Sequence, residues 1–301
     1  MRVFITGASG HIGSALIPEL QAAGHQVTGL ARSDAAAAKL TAAGADVRRG
    51  DLDDLDVIGK AAAGSDGVIH LAYRSDLMHA GDAMGVIAAN RKVLDAYGDA
   101  LEGTGKPIVA PSGTMVLWSG GITGRTGTED DVVDSGPLAE SENATIALAE
   151  RGIRAVVVRP APVVHSHLDT RGFTPALIAI ARDKGVAGYV GDGANRWPAV
   201  HTLDIARLFR LALESAPAGA RLHGVAEEGV PFREFAEAIG RNLGVPTASI
   251  APEDAMAHFG FLGMFAAADN PASSTLTRQR LGWQPTGPGL IADLDDGHYF
   301  A

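Results

Sequence analysis

The 301-residue chain contains no cysteine. This absence excludes a disulfide framework, a thiol nucleophile and a cysteine-based metal site. Long apolar runs and a charged leader are also missing, so we expect neither a membrane span nor a targeting segment. The formal net charge is -10 and there is no run of basic residues, which argues against nucleic acid and anionic membranes as partners. We therefore expect a soluble, cytoplasmic protein.

The most informative feature that is present is a glycine-rich turn close to the N-terminus, at 6–13. A short apolar run before it predicts a buried strand, and the segment after it predicts a helix. Glycines allow a tight turn whose backbone N–H groups can approach a pyrophosphate, and the following helix N-terminus would face that anion with its positive end. The position between a first strand and a first helix makes the pattern specific. We predict a phosphate-binding turn formed by Gly7, Ser9, Gly10, His11, Ile12 and Gly13.

Strands and helices alternate through the first half of the chain. We predict strands at 2–6, 26–31, 45–49, 66–72, 107–112 and 154–159. We predict helices between them at 12–23, 34–43, 54–62, 81–102 and 137–151. Alternation of this kind indicates βαβ units and a parallel sheet covered on both faces. The sequence therefore predicts an α/β fold with a Rossmann-type, doubly wound parallel sheet.

The regular alternation fades after residue 160, where several prolines and a glycine-rich stretch at 185–193 interrupt it. Helices are predicted at 203–214 and 232–243, and a loop-like tail at 267–289. We predict an NAD(P)-binding domain and a smaller C-terminal α/β substrate lobe packed on it without a clear linker, at 1–165 and 166–301. The cleft between them, outside the carboxyl ends of the strands, should hold a substrate.

The end of the second predicted strand indicates which cofactor is bound. An NAD site places an acidic residue there to accept the ribose 2′-hydroxyl, whereas this sequence has Ala31 followed by Arg32. An arginine can pair bidentately with a 2′-phosphate. We therefore expect NADP(H) rather than NAD(H), bound through Arg32 and Ser33. The alternative is a solvated Arg32, with Ser33 or Asp34 capping the next helix.

Further cofactor contacts are expected where the next strands end. Asp51 and Leu52 follow the third strand, where a carboxylate can accept a hydrogen bond from the adenine amino group and a leucine can pack on the ring. The alternative there is that Asp53 caps a helix. The remaining predicted cofactor residues end the fourth, fifth and sixth strands: Leu71, Ala72, Pro111 and Pro160. His70 is expected to be a core histidine.

Several of these segments together resemble the extended short-chain dehydrogenase/reductase superfamily, often described as NAD-dependent epimerases and dehydratases. The matching segments are 6–13, 51–52, 70–72, 158–164 and 196–206. The resemblance covers roughly residues 1–215. It implies a Ser/Thr–Tyr–Lys set, in which the tyrosine exchanges a proton with the substrate oxygen, the lysine lowers its pKa and the serine or threonine positions the substrate.

The sequence departs from that pattern at the tyrosine and the lysine. Residues 119–153 contain neither residue type, and the expected positions fall near Asp134 and Leu138. Only the Ser/Thr part remains, as Ser112 and Thr114 after the fifth predicted strand. The chain thus resembles atypical members that keep the cofactor site and lose the tyrosine–lysine pair.

Tyr73 and His201 are the candidates for the missing proton donor. Tyr73 directly follows the fourth predicted strand at the cofactor edge, and a histidine near its ordinary pKa can give up a proton. Each has a structural alternative, since Tyr73 could be a packing aromatic and His201 a hydrogen-bonded histidine. Asn195 and Arg196 could clamp a polar or anionic group of the substrate.

A cluster of possible metal ligands occurs at 165–169, which contains two histidines and an aspartate. It lies where the superfamily has a turn after the sixth strand, and hydride transfer to a carbonyl requires no metal. We therefore predict no metal site, and expect His165 to contact the substrate.

These residues lead to one preferred function and two alternatives. We expect an NADP(H)-dependent oxidoreductase acting on a small carbonyl or hydroxyl compound, with Ser112, Thr114, Tyr73 and His201 as candidate catalytic residues. A non-enzymatic NADP(H)-binding sensor and an epimerase or dehydratase that recycles its nicotinamide stay open. The resemblance also implies a homodimer, paired through helices 81–102 and 137–151 of each chain.

Overall fold

The computed structural model describes residues 1–301, except for the side chain of His79. Its strands are β1 (Arg2–Thr6), β2 (Gln26–Ala31), β3 (Asp46–Arg49), β4 (Gly67–His70), β5 (Pro107–Pro111), β6 (Arg154–Pro160), β7 (Val163–His165), β8 (Ala187–Val190), β9 (Arg196–His201), β10 (Arg221–Gly224), β11 (Glu227–Pro231) and β12 (Thr247–Ile250). Its helices are α1 (His11–Ala22), α2 (Asp34–Ala42), α3 (Leu55–Ala63), α4 (Ser75–His79), α5 (Ala83–Leu101), α6 (Met115–Ser119), α7 (Pro137–Ala147), α8 (Phe173–Lys184), α9 (Thr202–Ser215), α10 (Phe232–Leu243), α11 (Ala255–Phe259), α12 (Thr275–Leu281) and α13 (Leu290–Asp295).

Seven strands form one sheet in the order β3-β2-β1-β4-β5-β6-β10, and every neighbouring pair is parallel. Helices α1 and α9 pack together in one layer, and α3, α5 and α7 form the other. The strand order reverses between β1 and β4, and a crevice forms at such a point outside the carboxyl ends of the strands. The predicted doubly wound α/β fold is therefore confirmed.

The predicted elements of the first half agree closely with the structure. β1 and β2 have the predicted bounds, whereas β4 ends two residues earlier than predicted, at His70. The helix predicted at 81–102 is α5, and the short helix α4 before it was not predicted. Gly81 separates the two helices with a left-handed backbone (φ +76°), and the Asp82 carboxylate then accepts a hydrogen bond from the Gly85 N–H at 2.8 Å. This is an ordinary N-cap at the start of α5.

The second half is more regular than predicted. Helix α8 includes Pro175, one of the prolines after residue 160 that interrupt the predicted alternation. This proline lies in the first helical turn, where its missing N–H is not needed. The loop predicted at 267–289 was wrong over α12, where the backbone N–H of buried Thr277 donates to Glu129 at 2.6 Å. This helix is stabilised by a residue about 150 positions away, so local sequence gives little sign of it.

The chain returns to the large sheet after residue 165, because β10 and the covering helix α9 belong to it. The remaining strands form two small sheets, β11-β9-β7 and β12-β8. In the core of this second region, Trp197 packs edge to face with Phe232, and Phe232 with Phe259, with ring centroids 5.0 and 6.2 Å apart. Among the described residues, no helix is both long and apolar enough to cross a membrane. The proposed domain boundary at 165 stays a prediction.

Candidate active site

The glycine-rich turn is packed too tightly for side chains at two of its glycines. Gly7 has φ +72°, and a Cβ there would lie 2.8 Å from the backbone nitrogen of Ala72. A Cβ on Gly13 would lie 2.4 Å from the carbonyl oxygen of Gly7. Gly10 is the N-cap of α1, and no side chain caps this helix. The first-turn N–H groups are therefore available to an anion, so this turn fits a pyrophosphate.

The predicted adenosine contacts lie along the ends of β2 and β3. Arg32 is exposed, and Ser33 caps α2 by accepting a hydrogen bond from the Ala36 N–H at 3.2 Å. In the sheet register, Arg49 of β3 lies opposite Ala31, the residue before Arg32. Two arginines thus flank the position where an NAD site would have an acidic residue.

The segment predicted to contact adenine forms a compact turn. Asp51 accepts a hydrogen bond from the Asp53 N–H at 2.8 Å, while its own N–H donates to Asp54 at 2.9 Å. Leu52 is half-buried and packs against the core between the sheet and α3 and α5. Asp53 does not cap the helix but pairs with Arg74 at 2.9 Å. The turn leaves one Asp51 oxygen without a hydrogen bond in the structure as described.

The fourth strand ends in a buried polar network. Nδ1 of His70 lies 2.7 Å from the Thr6 hydroxyl, and its Nε2 lies 2.9 Å from Asn90 Oδ1. Burial lowers the pKa of His70 to about 4, so the ring is neutral at pH 7. The structure therefore supports the interpretation of His70 as a core histidine that holds β4 against β1. Tyr73, three residues later, is 59% exposed.

Ser112 and Thr114 extend beyond the end of β5 toward the same edge. Their backbone N–H groups donate to Val158 O at 2.8 Å and to Pro160 O at 3.0 Å, which fixes both residues against β6. Ser112 is half-buried, whereas Thr114 is fully buried and its hydroxyl accepts a hydrogen bond from Asn270 at 3.2 Å. Of the two hydroxyls, that of Ser112 is the more accessible.

A buried ion-pair network lies directly behind Ser112. Arg159 donates to both carboxylate oxygens of Glu142, with Nη2–Oε1 at 2.5 Å and Nε–Oε2 at 2.9 Å, and neither side chain is exposed. Arg221 donates to the same carboxylate at 2.7 Å. Burial opposes ionisation, but the two arginines hold the pKa of Glu142 below its usual value. We define Glu142, Arg159 and Arg221 as the carboxylate network.

Sequence reasoning did not assign a role to the carboxylate network. Helix α7, which in the resemblance would follow the tyrosine–lysine pair, supplies Glu142, while β6 and β10 supply the arginines. The available signal was Arg159, a charged residue that follows an apolar run inside β6, whereas Arg221 is only the first residue of β10. A charge at such a position is buried by its neighbours and needs a partner.

Three histidines meet next to the phosphate-binding turn. Nε2 of His11 lies 2.7 Å from the Thr202 hydroxyl, and the rings of His165 and His201 are edge to face with centroids 5.6 Å apart. Nδ1 of His165 lies 2.8 Å from Asp293. Burial, together with the two neighbouring histidines, lowers the pKa of His11 to about 4.

The two histidines predicted to act on the substrate are both largely enclosed. His165 is fully buried, and His201 caps α9 by accepting a hydrogen bond from the Leu203 N–H at 3.3 Å. Burial also lowers the pKa of His201, which favours the neutral ring at pH 7. These contacts support the alternative interpretation of His201 as a hydrogen-bonded histidine.

The residues predicted to clamp the substrate instead bind another part of the chain. We define residues 265–272 as the strap. Asn195 donates to the carbonyl oxygens of Ala266 and Ala268 at 3.0 and 3.1 Å. Arg196 forms a bidentate pair with Asp269, at 3.0 and 2.8 Å. Both side chains hold the strap in place, and its Asn270 reaches Thr114.

Comparison with known proteins identifies the family of the chain. The model of the NAD-dependent epimerase/dehydratase family matches residues 3–223. The chain belongs to this family. Members related to it in sequence and structure include dehydratases, epimerases and reductases, and the family is nicotinamide-dependent.

Two sequence relatives and one solved structure illustrate the range of this epimerase/dehydratase family. An uncharacterised protein of Schizosaccharomyces pombe is 46% identical over 302 residues and covers 100% of both chains. A 4-hydroxy-2-methyl-3-oxo-4-farnesyl-3,4-dihydroquinoline-1-oxide ketoreductase of Stigmatella aurantiaca is 28% identical over 233 residues, 73% of this chain and 66% of the relative. The dTDP-glucose 4,6-dehydratase of Streptomyces venezuelae, solved with NAD bound, has a similar fold, with a TM-score of 0.75 and 23% identity over 98% of this chain and 96% of that chain.

Replacing Glu142 tests whether the carboxylate network is needed for folding. Glu142→Gln keeps the shape but leaves Arg159 buried without a counter-charge, so we expect the free energy of unfolding to fall by about 3–5 kcal/mol. Glu140→Gln is the matched control, since Glu140 is exposed on the same helix and should change stability by no more than about 0.5 kcal/mol. Denaturant unfolding measures both, and equal stabilities of the two variants would contradict the assignment.

Proposed function

We propose that the chain is an NADP(H)-dependent oxidoreductase that transfers a hydride to or from a small carbonyl or hydroxyl compound. The observation that carries the proposal is the arrangement of one sheet edge. The phosphate-binding turn after β1 and the Ser112 hydroxyl after β5 lie at the carboxyl ends of the same parallel sheet, one strand apart across β4. The ketoreductase relative supports a redox reaction over the other chemistries of the family.

The preference for NADP(H) rests on charge at the end of β2. Arg32 is exposed, and Arg49 lies opposite Ala31 in the register, so a 2′-phosphate at this position would meet two guanidinium groups. Arg49 pairs with Asp34, which is itself 94% exposed, and this pair can yield to a phosphate at small cost because exposed ion pairs are weak. An NAD site would have an acidic residue at position 31, where this sequence has Ala31.

The residues of this chain would hold the cofactor and orient the substrate. The phosphate turn, Arg32, the Asp51–Leu52 turn, and the strand ends at Leu71–Ala72, Pro111 and Pro160 would hold the nucleotide. The bound nicotinamide supplies or accepts the hydride. Ser112 would donate its hydroxyl hydrogen to the substrate oxygen, from a position fixed by the hydrogen bond of its backbone N–H to Val158 O. Positive charge from two arginines against one carboxylate would favour negative charge developing near Ser112.

Tyr73 is the proposed proton donor, because its phenol is exposed at the same edge and follows β4, the strand between the turn and Ser112. His201 is the second candidate, although its lowered pKa makes a proton less available near pH 7. A phenol or a histidine in this position would act as a general acid and give a proton to the substrate oxygen. This is the role that the resemblance assigns to the tyrosine missing from this chain.

One alternative function has a specific observation in its favour. The absence of tyrosine and lysine from 119–153 favours an NADP(H)-binding sensor that does not turn over. An epimerase or dehydratase that recycles its nicotinamide needs a base for a second proton step, and the missing pair counts against it.

We also propose a homodimer on the basis of the resemblance. The exposed face of α5 that would pair carries Arg91, Lys92 and Asp95, so such an interface would be polar.

Isotope transfer tests the proposed function. The purified protein is mixed with a broad metabolite extract and NADPH deuterated on one face of C4 or on the other, and small molecules are analysed by mass spectrometry. We expect deuterium in one compound from one of the two cofactors. If NADPH binding is confirmed in the same tube but no label transfers, the sensor or a hydride-recycling enzyme replaces the oxidoreductase.

Arg32→Asp tests the choice of cofactor. It replaces the cation expected at the 2′-phosphate by the acidic residue that an NAD site uses, so we expect the Kd for NADPH to rise by about tenfold to a hundredfold and the Kd for NADH to fall. Arg48→Asp makes the same charge change at an exposed neighbouring position, opposite Leu30, and should leave the ratio unchanged. Equal affinities of the unmodified protein for NADPH and NADH would reject the preference.

A further inference from the structure

An exposed group of apolar side chains lies beside Thr114. Trp118 and Phe265 are half-buried with ring centroids 6.3 Å apart, and Phe261 contacts Phe265 at 5.7 Å. Phe261 is 56% exposed and Met264 is 53% exposed. We define Trp118, Phe261, Met264 and Phe265 as the apolar rim. Exposed aromatic and methionine side chains gathered in one place commonly mark a binding surface.

Two connections place the apolar rim at the candidate active site. Trp118 lies on α6, four residues and about one helical turn after Thr114. Phe265 begins the strap, whose Asn270 donates to the Thr114 hydroxyl at 3.2 Å. The rim is therefore joined to the end of β5 both through α6 and through the strap, and Ser112 is two residues before Thr114.

A second exposed apolar group follows β4, the strand next to β5. Tyr73 is 59% exposed, Met78 is 41% exposed and Met84 is 64% exposed. Exposed apolar side chains thus lie on the connections that follow both strands. Covering such surfaces with an apolar ligand is favourable by roughly 25 cal/mol per Å² of area removed from water.

Three arginines near this edge are paired with carboxylates of the same chain. Arg196 is paired bidentately with Asp269. Arg74 pairs with Asp53 and Asp76, and Arg125 pairs with Asp131. A nucleoside diphosphate carries charges that call for arginines free to form bidentate pairs. Its negative charges would also have to compete with these carboxylates, in a chain whose net charge is -10.

We propose that the substrate is an uncharged carbonyl compound with an apolar ring or alkyl body, which the apolar rim covers, and not a nucleotide sugar. This inference rests on the proposed function, because it assigns the substrate class of the same site. The carbonyl oxygen would face Ser112, and the apolar body would lie on Phe261 and Trp118. The structural neighbours that bind nucleotide sugars share the fold at low identity, and substrate class is decided by these side chains and not by the fold.

Ligand titration onto the NADP⁺-loaded protein tests this inference without turnover. The probes are 2-acetonaphthone, an uncharged aromatic ketone, and UDP-glucose, both followed by ligand-observed NMR. We expect 2-acetonaphthone to bind at least about tenfold more tightly than UDP-glucose. Phe261→Ala should weaken its binding by about tenfold, since a large exposed aromatic contact is removed. Met256→Ala is the control, at 53% exposure in the same segment but outside the rim, and should bind as the unmodified protein does.

Tighter binding of UDP-glucose, binding of neither probe, or equal effects of the two substitutions would overturn the assignment of substrate class. Failure of NADP⁺ itself to bind at the loading step would instead reject the proposed function. Both substituted residues are exposed, so their replacement leaves the core intact. Label transfer from deuterated NADPH to a nucleotide sugar would keep the oxidoreductase and reject the apolar substrate.

Discussion

The arrangement of the site depends on the buried ion pairs that the Glu142 carboxylate forms with two arginines. This carboxylate joins α7 to β6, the next strand along the chain, and to β10, about 80 residues further on. Nη1 of Arg159 donates to Asp131 O at 3.0 Å, and Nε2 of His223 lies 3.2 Å from the same nitrogen. A buried charge without these partners would be costly, so the three elements stabilise one another. Ser112 lies at the solvent side of this assembly.

The second region of the chain supplies side chains around the carboxyl edge of the large sheet. Asn195 directly precedes strand β9, which begins at Arg196 and ends at His201. This segment therefore both fastens the strap and reaches the histidines beside the phosphate turn. The strap then places Asn270 on Thr114. A cofactor turn, a hydroxyl and an apolar rim therefore meet at one edge, although they come from segments more than 250 residues apart. This convergence links the fold to the function we propose.

Most of the first half of the fold could be predicted from the sequence, because local signals specify it. Apolar runs predicted β1 and β2 with their observed bounds, and the position of the glycine-rich turn between strand and helix predicts a phosphate site there. The roles of Asn195 and Arg196 could not be predicted, since their partners lie about 70 residues away and a polar pair near a cleft fits substrate binding equally well. The ion pairs of Glu142 could not be predicted either, because only the folded structure brings the two arginines to this carboxylate.

The most direct test of the central claim compares label transfer in the unmodified protein and in Ser112→Ala. In the proposed function, Ser112 orients the reacting oxygen of the substrate, while other residues hold the nucleotide. At saturating deuterated NADPH, we therefore predict that the variant transfers label about a hundredfold more slowly, while its Kd for NADPH stays unchanged. An unchanged transfer rate, with the same NADPH affinity, would contradict the account and move the chemistry away from the end of β5.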